Sequence, residues 1–283
     1  MIQYSWQSLY VKVTKRLAHL EEANELAKML ITELSGLSML EWKFEKSILP
    51  QFKVQQVLNA SERIALNEPI QYVLGYAYFY YLKLKVTSDT LIPRPETEEL
   101  VALATQRVPY ANTIVDFCTG SGCIALALAS QLENAQVIGT DYKESTLAVA
   151  IENAKNLGLE SRVSFVCNDL FDSLPKLPFK PDLIVSNPPY ITENERAEMK
   201  QNVLDFEPHD ALFVNHTDPL FFYLRILNFA SLFAAPNCVI LFEVNPAYAS
   251  RLCEYAKDFK MSASVIVDIS GKDRFVCFEN LAS

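Results

Sequence analysis

Four consecutive residues, Asn187-Pro188-Pro189-Tyr190, carry more chemistry than any other stretch of this 283-residue chain. The asparagine side chain and the carbonyl of the next proline offer two acceptors to a planar NH2 group, and proline's missing N–H leaves no competing donor there. Two acceptors drawing on two N–H bonds would turn the nitrogen toward an incoming carbon, and paired prolines stiffen the loop that aims it. Tyr190 can lie flat against an amide or a base and keep water out. The chemistry this suits is methyl transfer by direct displacement, which needs positioning more than a strong base. The attacking nitrogen sheds its proton only as its bond to carbon forms. The three histidines, His19, His209 and His216, form no triad or metal pattern of recognisable spacing with Asn187, although His209 is near enough in sequence to line a pocket.

Upstream, the apolar run Thr113–Phe117 enters Cys118-Thr119-Gly120-Ser121-Gly122. Glycines at that point let the backbone pass close to a ligand at the carboxyl edge of a sheet. No Gly-Lys-Ser/Thr follows, which excludes a P-loop, while a dinucleotide fold stays open because an acidic residue closes the next strand about 20 residues on. Asp141 closes the next strand, where its carboxylate can accept both ribose hydroxyls of a nucleoside. Asp169 closes the third, on the side of an adenine edge. Acidic residues at consecutive strand ends favour a neutral or cationic nucleoside, such as a sulfonium cofactor, over a pyrophosphate. The bland alternative is that both aspartates cap the helices that follow them.

These residues need a scaffold, and the hydrophobic pattern supplies one. From about 97 onward strands and helices alternate, as in an α/β parallel sheet covered by helices. Strands are expected at 113–117, 135–139, 163–167, 183–185 and 238–242, with helices at 96–107, 122–132, 144–157 and 218–233, and one from Pro246 to about 258. The close is antiparallel in texture, 263–269 and 275–278 around a Gly271-Lys272-Asp273 turn. Residues 71–92 read as two short strands or a hairpin. Residues 1 to about 70 read as a small helical domain. Its apolar sets are Leu9, Val13, Leu17 and Leu20, then Ala23, Leu26, Ala27, Leu30 and Leu34, then Phe52, Val57, Leu58 and Ile64, with boundaries at Gly36 and Pro50.

Half of the chain is apolar and 21% is charged, which excludes a disordered tail-like protein. Lys plus Arg is 25 against 34 Asp plus Glu, a formal charge of −9 that disfavours life on bulk nucleic acid. The six cysteines lie mostly in apolar runs and read as small buried hydrophobes in a reducing compartment. The first 17 residues lack the layout of a signal peptide, and Leu220–Pro236 is too short and too interrupted to span a membrane, so a buried helix and a cytoplasmic protein are expected.

The motifs resemble those of the class I S-adenosylmethionine-dependent methyltransferases, and among them the peptide chain release factor N5-glutamine methyltransferase family. The resemblance rests on PIQYVLGYAYFY (69–80), LIPRPETEELV (91–101), TGSGCIALALA (119–129), NDLF (168–171), DLIVSNPPYI (182–191), FEPHDALF (206–213) and DISGKDRFV (268–276). It implies a Rossmann-like, seven-stranded, mostly parallel sheet with an antiparallel last strand. It also implies a methyltransferase domain over 93–283, a hairpin linker over 71–92, and a helical domain over 1–70 that helps dock the substrate. S-adenosylmethionine would be held by Thr119, Gly120, Gly122, Asp141, Asp169, Asn187 and Arg94, with no metal. The glutamine amide of a release factor's Gly-Gly-Gln loop would meet Asn187, Pro188, Pro189, Tyr190 and Glu207, with Asn187, Pro188 and Tyr190 catalytic. Release factors 1 and 2 are the implied substrates, and a monomer is expected.

Four places depart from the family pattern. Cys118 stands where the family's glycine turn begins, which predicts crowding of the cofactor's methionine moiety. Ala235-Pro236 replaces Gly-Gly, and Glu243-Val244-Asn245 replaces Glu-Ile-Gly. Val214–Pro219 replaces a glycine-rich segment. The rival reading is an amino-methyltransferase acting on adenine or another nucleic-acid amino group, against which the charge and the IPRPETE block both count. A binding module that kept the fold, and a nicotinamide oxidoreductase, come after it.

Overall fold

The computed structural model describes residues 3–214 and 216–280, so Asn215 of the altered segment 214–219 lies outside the described residues. In chain order the elements begin with α1 (Trp6–Arg16), α2 (Ala23–Ser35), α3 (Met39–Phe44), α4 (Gln51–Ala65) and α5 (Ile70–Leu74), then β1 (Tyr76–Phe79) and β2 (Leu82–Lys85). They continue with α6 (Pro95–Arg107), β3 (Thr113–Phe117), α7 (Cys123–Gln131), β4 (Gln136–Asp141), α8 (Glu144–Asn156), β5 (Val163–Cys167) and β6 (Leu183–Ser186). The remainder is α9 (Gln201–Phe206), α10 (His209–Leu212), α11 (Phe221–Phe233), β7 (Val239–Glu243), α12 (Ala249–Glu254), β8 (Met261–Val267) and β9 (Asp273–Asn280).

The chain forms two compact units, one of residues up to Gly75 with Gln201–Phe206, the other of Tyr76–Lys200 with the residues from Glu207 on. In the helical unit, Leu9, Val13, Leu17, Ala27, Leu30, Ile31, Trp42, Val57 and Ile64 form one core. Gly36 ends α2 in the left-handed region (φ 69°) and Pro50 precedes α4, at the two boundaries read from the sequence. Phe52 is a correction: it is exposed, because α4 buries the Val54, Val57, Ser61, Ile64 stripe and Phe52 falls off it.

The division falls at Gly75, and the hairpin β1–β2 belongs with the second unit. The reason is local. Buried Asn153 of α8 accepts the Lys85 N–H (2.7 Å) and donates to the Lys85 carbonyl (3.0 Å) and the Ser121 carbonyl (2.9 Å), so one side chain clamps β2 to the glycine turn.

The second unit is built on a seven-stranded sheet of order β5-β4-β3-β6-β7-β9-β8. All neighbours are parallel except β9, which runs antiparallel to both β7 and β8. Alternation along the strands splits their side chains between two cores. Ile114, Leu183, Val185 and Leu241 face α6 and α7; Val115, Phe117, Ile184, Ile240 and Phe242 face α11 and α12. Both faces being covered explains why the strands read as continuous apolar runs. The single helix expected after Pro246 is broken into a 3-10 turn over Pro246–Tyr248, then α12, then a second 3-10 turn over Tyr255–Lys257. Cys167 is exposed, unlike the buried thiol expected of it, because it closes an edge strand. Among the described residues no helix is long and apolar enough to cross a membrane.

Candidate active site

Strand register brings the sequence-distant motifs to one edge of the sheet. Phe117 pairs with Thr140 on one side and Ser186 on the other, and Asp141 pairs with Cys167. The residues that follow these strand ends therefore converge. Ser186 Oγ donates to the Phe117 carbonyl (2.7 Å) and ties the start of the Asn-Pro-Pro-Tyr loop to the start of the glycine turn. A cavity of about 280 Å³ opens there, lined by Cys118, Gly120, Asp141, Asp169, Asn187 and Pro189, with Phe171, Phe213 and Phe222 as apolar wall.

The turn is held from below by a residue that the sequence reading did not single out. Asp116, fully buried in β3, accepts from Thr119 Oγ1 (2.6 Å) and the Ala125 N–H (3.2 Å), and burial pushes its carboxyl up to about 7. An acidic residue inside an apolar strand was the available signal. Thr119 therefore serves the turn, and neither it nor Gly122 is among the residues that line the cavity. Gly122 precedes α7 at φ 80°, and a Cβ there would crowd Phe165, Ala150 and Leu126 at 3.1–3.2 Å. Gly120 (φ 56°) is different: a Cβ on it would meet nothing within 4 Å. Cys118 also lies at positive φ (57°), a region that costs an L-residue roughly 1–2 kcal/mol.

Asp141 Oδ2 accepts the Gly120 N–H (3.0 Å) and its Oδ1 the Lys143 N–H (3.3 Å), while burial raises its pKa. The carboxylate thus holds the turn in place and still faces the cavity. Asp169 accepts the Phe171 N–H (2.8 Å). Across the wall from Asp141, Tyr142 Oη donates to Asp210, and Lys143 Nζ pairs with Asp89 at 3.0 Å and Asp210 at 3.7 Å. His209 packs edge-on against Phe213 (5.7 Å between centroids), and the wall there is formed by Asp210, Ala211 and Phe213.

Asn187 Nδ2 donates to Thr97 Oγ1 (3.1 Å), and Thr97 Oγ1 donates to Glu243 Oε2 (2.8 Å). Tyr190 Oη lies 3.5 Å from Glu243 Oε1. Thr97 and Glu243 are each 2% exposed. Thr97 sits inside the IPRPETE block and Glu243 closes the apolar run of β7, but nothing in spacing alone connects them to Asn187.

Arg94 and Glu207, assigned by resemblance to cofactor and substrate, are bound to each other. Arg94 Nη2 donates to Glu207 Oε1 (2.6 Å), and Glu207 Oε2 accepts the Ile92 N–H (3.3 Å). Neither residue lines the cavity. The pair ties the segment before α6 to the segment before α10. With Glu207 buried and Arg94 one-third exposed, Arg94→Ala is expected to destabilise the protein by about 2 kcal/mol by stranding a buried carboxylate. Denaturant unfolding should show much of that loss recovered in the Arg94→Ala, Glu207→Ala double variant; equal losses in both would dismiss the pair.

A doubly covered sheet of this order, with a glycine turn and acidic strand ends facing an Asn-Pro-Pro-Tyr loop, defines a class I methyltransferase. A methyltransferase domain family matches residues 111–269. The hMettl16 catalytic domain, solved with a MAT2A 3′UTR hairpin, superposes with a TM-score of 0.57 over 84% of this chain and 85% of its own, at 13% identity, and so shares the fold. The release factor glutamine methyltransferase of Bacteroides thetaiotaomicron is 40% identical over 90% of this chain and 92% of the relative. That of Lactococcus lactis subsp. lactis is 36% identical over 95% and 98%. This chain belongs to the release factor glutamine methyltransferase family.

Proposed function

We propose that this protein transfers the methyl group of S-adenosylmethionine to the side-chain amide nitrogen (N5) of the glutamine in the Gly-Gly-Gln motif of peptide chain release factors 1 and 2, acting as a cytoplasmic monomer. The observation that carries this reading is the Asn187 amide at the cavity wall, its NH2 end occupied by Thr97 and its carbonyl oxygen left to accept. The relatives' names supply the acceptor.

The cavity fits the methyl donor. Its acidic residues suit a cation, the open space over Gly120 admits a ligand against the backbone, and its phenylalanines suit a purine. Bound there, the cofactor supplies an electrophilic methyl group on a positively charged sulfur. Asp141 would accept from its ribose hydroxyls and Asp169 would hold its adenine end, both residues lining the cavity. Thr119, Gly120 and Gly122 shape the turn, and Arg94 with Glu207 braces the segments that flank the cavity.

At the other end, Asn187 Oδ1 and the Pro188 carbonyl accept the two N–H bonds of the glutamine amide and aim its nitrogen. Pro189 and Tyr190 enclose that amide and exclude water. As the new N–C bond forms, the methyl carbon's bond to sulfur would break, its electron pair staying on sulfur as a neutral thioether, and the strongly acidic amide proton would pass to solvent as product leaves, so no strong base is required of the site. The helical N-terminal domain contributes to docking the release factor.

The test is incubation with labelled S-adenosylmethionine, an intact release factor, and bulk DNA plus RNA, followed by peptide mass spectrometry. One methyl group on the Gly-Gly-Gln glutamine is expected; label in nucleic acid alone would overturn the acceptor. Cys118→Gly should relieve positive-φ strain, which the free and bound protein share and which therefore shows in stability, and clear space in the cavity, which bears on the bound state. Cofactor affinity by titration calorimetry is expected to rise by about three- to tenfold, equivalent to roughly 1 kcal/mol, with kcat within about twofold. Unchanged affinity would show that the thiol does not crowd the cofactor.

A further inference from the structure

Asn187 and the Pro-Pro-Tyr loop account for the acceptors that meet the substrate, but not for what keeps the Asn187 amide the right way round. An asparagine amide has an acceptor end and a donor end of nearly the same shape, and only one orientation offers an oxygen to an NH2 group. The donors and acceptors around Asn187 admit one answer. Glu243, as a carboxylate, can only accept, and Thr97 Oγ1 lies 2.8 Å from its Oε2. The single hydroxyl proton of Thr97 is therefore committed to Glu243, and the Thr97 oxygen can only accept from Asn187 at 3.1 Å. The Asn187 atom facing Thr97 must be nitrogen.

Resting on the function proposed above, we infer that Glu243, acting through Thr97, is the positioning residue that sets the orientation of the Asn187 amide and so presents its oxygen to the substrate. Glu243 contributes no contact to the cavity wall. It is held in place by Tyr190 Oη at 3.5 Å and by Tyr223 Oη, which donates to its main-chain carbonyl at 3.0 Å. Thr97 is thereby the functional centre of the IPRPETE block, because α6 brings its hydroxyl between the ends of β6 and β7.

The state of the carboxyl matters to this arrangement. Burial pushes Glu243 up to about 7; the Thr97 hydrogen bond and Arg274 oppose that, and Glu96 adds to it. The groups facing it are Thr97 and Glu96 from α6, Cys123 from α7, a thiol that burial keeps neutral, Tyr190 from the loop after β6, Tyr223 from α11 and Arg274 from β9. Once protonated, Glu243 can donate to Thr97, whose hydroxyl is then free to turn toward Asn187 and accept the opposite amide orientation. Activity should therefore fall as pH drops below about 7.

The experiment uses the full chain with a release factor as acceptor and the variants Thr97→Val, Thr97→Ser and Glu243→Gln. Thr97→Val is expected to lower kcat by about 30-fold with KM and cofactor affinity within about threefold, Glu243→Gln by about three- to tenfold because its amide oxygen can still accept from Thr97 in one of its two orientations, while Thr97→Ser stays within about twofold of wild type. The acidic limb of the wild-type kcat profile should disappear in Glu243→Gln. Hydrogen exchange of the Asn187 side-chain amide, assigned by NMR through its loss in Asn187→Ala, should accelerate in Thr97→Val without any substrate present. Unchanged kcat and exchange in Thr97→Val would overturn the inference. So would Thr97→Ser losing as much as Thr97→Val, since that would make the effect one of packing. If wild type methylates no release factor, the acceptor assignment fails, and the exchange measurement still decides the orientation.

Discussion

Asn187→Ala is expected to slow methyl transfer to a release factor by about 10³-fold, a loss of roughly 4 kcal/mol in transition-state stabilisation. Two effects combine. The variant removes one of two fixed acceptors from the amide as its nitrogen gains positive character, and such preorganised dipoles are worth the most in a site that excludes water. It also frees the amide to rotate away from the line of attack. The loss should appear in kcat, with cofactor affinity within about threefold, because the hydrogen-bonded partner of Asn187 is Thr97 on the protein side. Asn187→Asp should fare no better than about tenfold above the alanine variant: its carboxylate restores an acceptor but turns an oxygen on the Thr97 lone pairs. Single-turnover kinetics with saturating cofactor would measure both. A kcat within tenfold of wild type in Asn187→Ala would remove Asn187 from the reaction.

Asp141→Asn is expected to weaken cofactor binding by about 10²-fold, or roughly 2.7 kcal/mol. Hydrogen bonds to a charged acceptor are worth about 1.5–3 kcal/mol each, and this carboxylate would hold two ribose hydroxyls. The amide would also aim an NH2 at one of the donors it now accepts, the Gly120 N–H at 3.0 Å or the Lys143 N–H at 3.3 Å. The turn would loosen as the ligand contact is lost, so the effect should exceed that of a surface aspartate. Calorimetric titration with S-adenosylhomocysteine separates this from chemistry, and kcat at saturating cofactor should stay within about fivefold. Binding within threefold of wild type would reduce Asp141 to a cap for the glycine turn.

Both residues were visible before the fold was known, and so was most of the sheet. The strands buried on both faces announced themselves as apolar runs, and the predicted spans 113–117 and 163–167 coincide with β3 and β5. Gly120, Asp141, Asp169 and Asn187 could be placed because each ends or follows a strand, and parallel strands deliver their carboxyl ends to one edge. Amphipathic surface helices were less legible. Phe52 fitted a helical period and proved exposed, since a period shows that a face exists but not which neighbour covers it.

Local pattern by itself determined the α/β class, the helical N-terminal part, the glycine turn with its acidic strand ends and the tetrapeptide, because each is written in residues adjacent in sequence or spaced by one strand or helix. Tertiary structure alone decided what those residues touch. Arg94 and Glu207, 113 positions apart, are partners to each other, and Thr97 joins Asn187 to Glu243 across separations of 90 and 146. The physical reason is that a hydrogen bond is a matter of angstroms and atom type, set by how α6 packs against the ends of β6 and β7. Spacing along the chain holds no record of that packing.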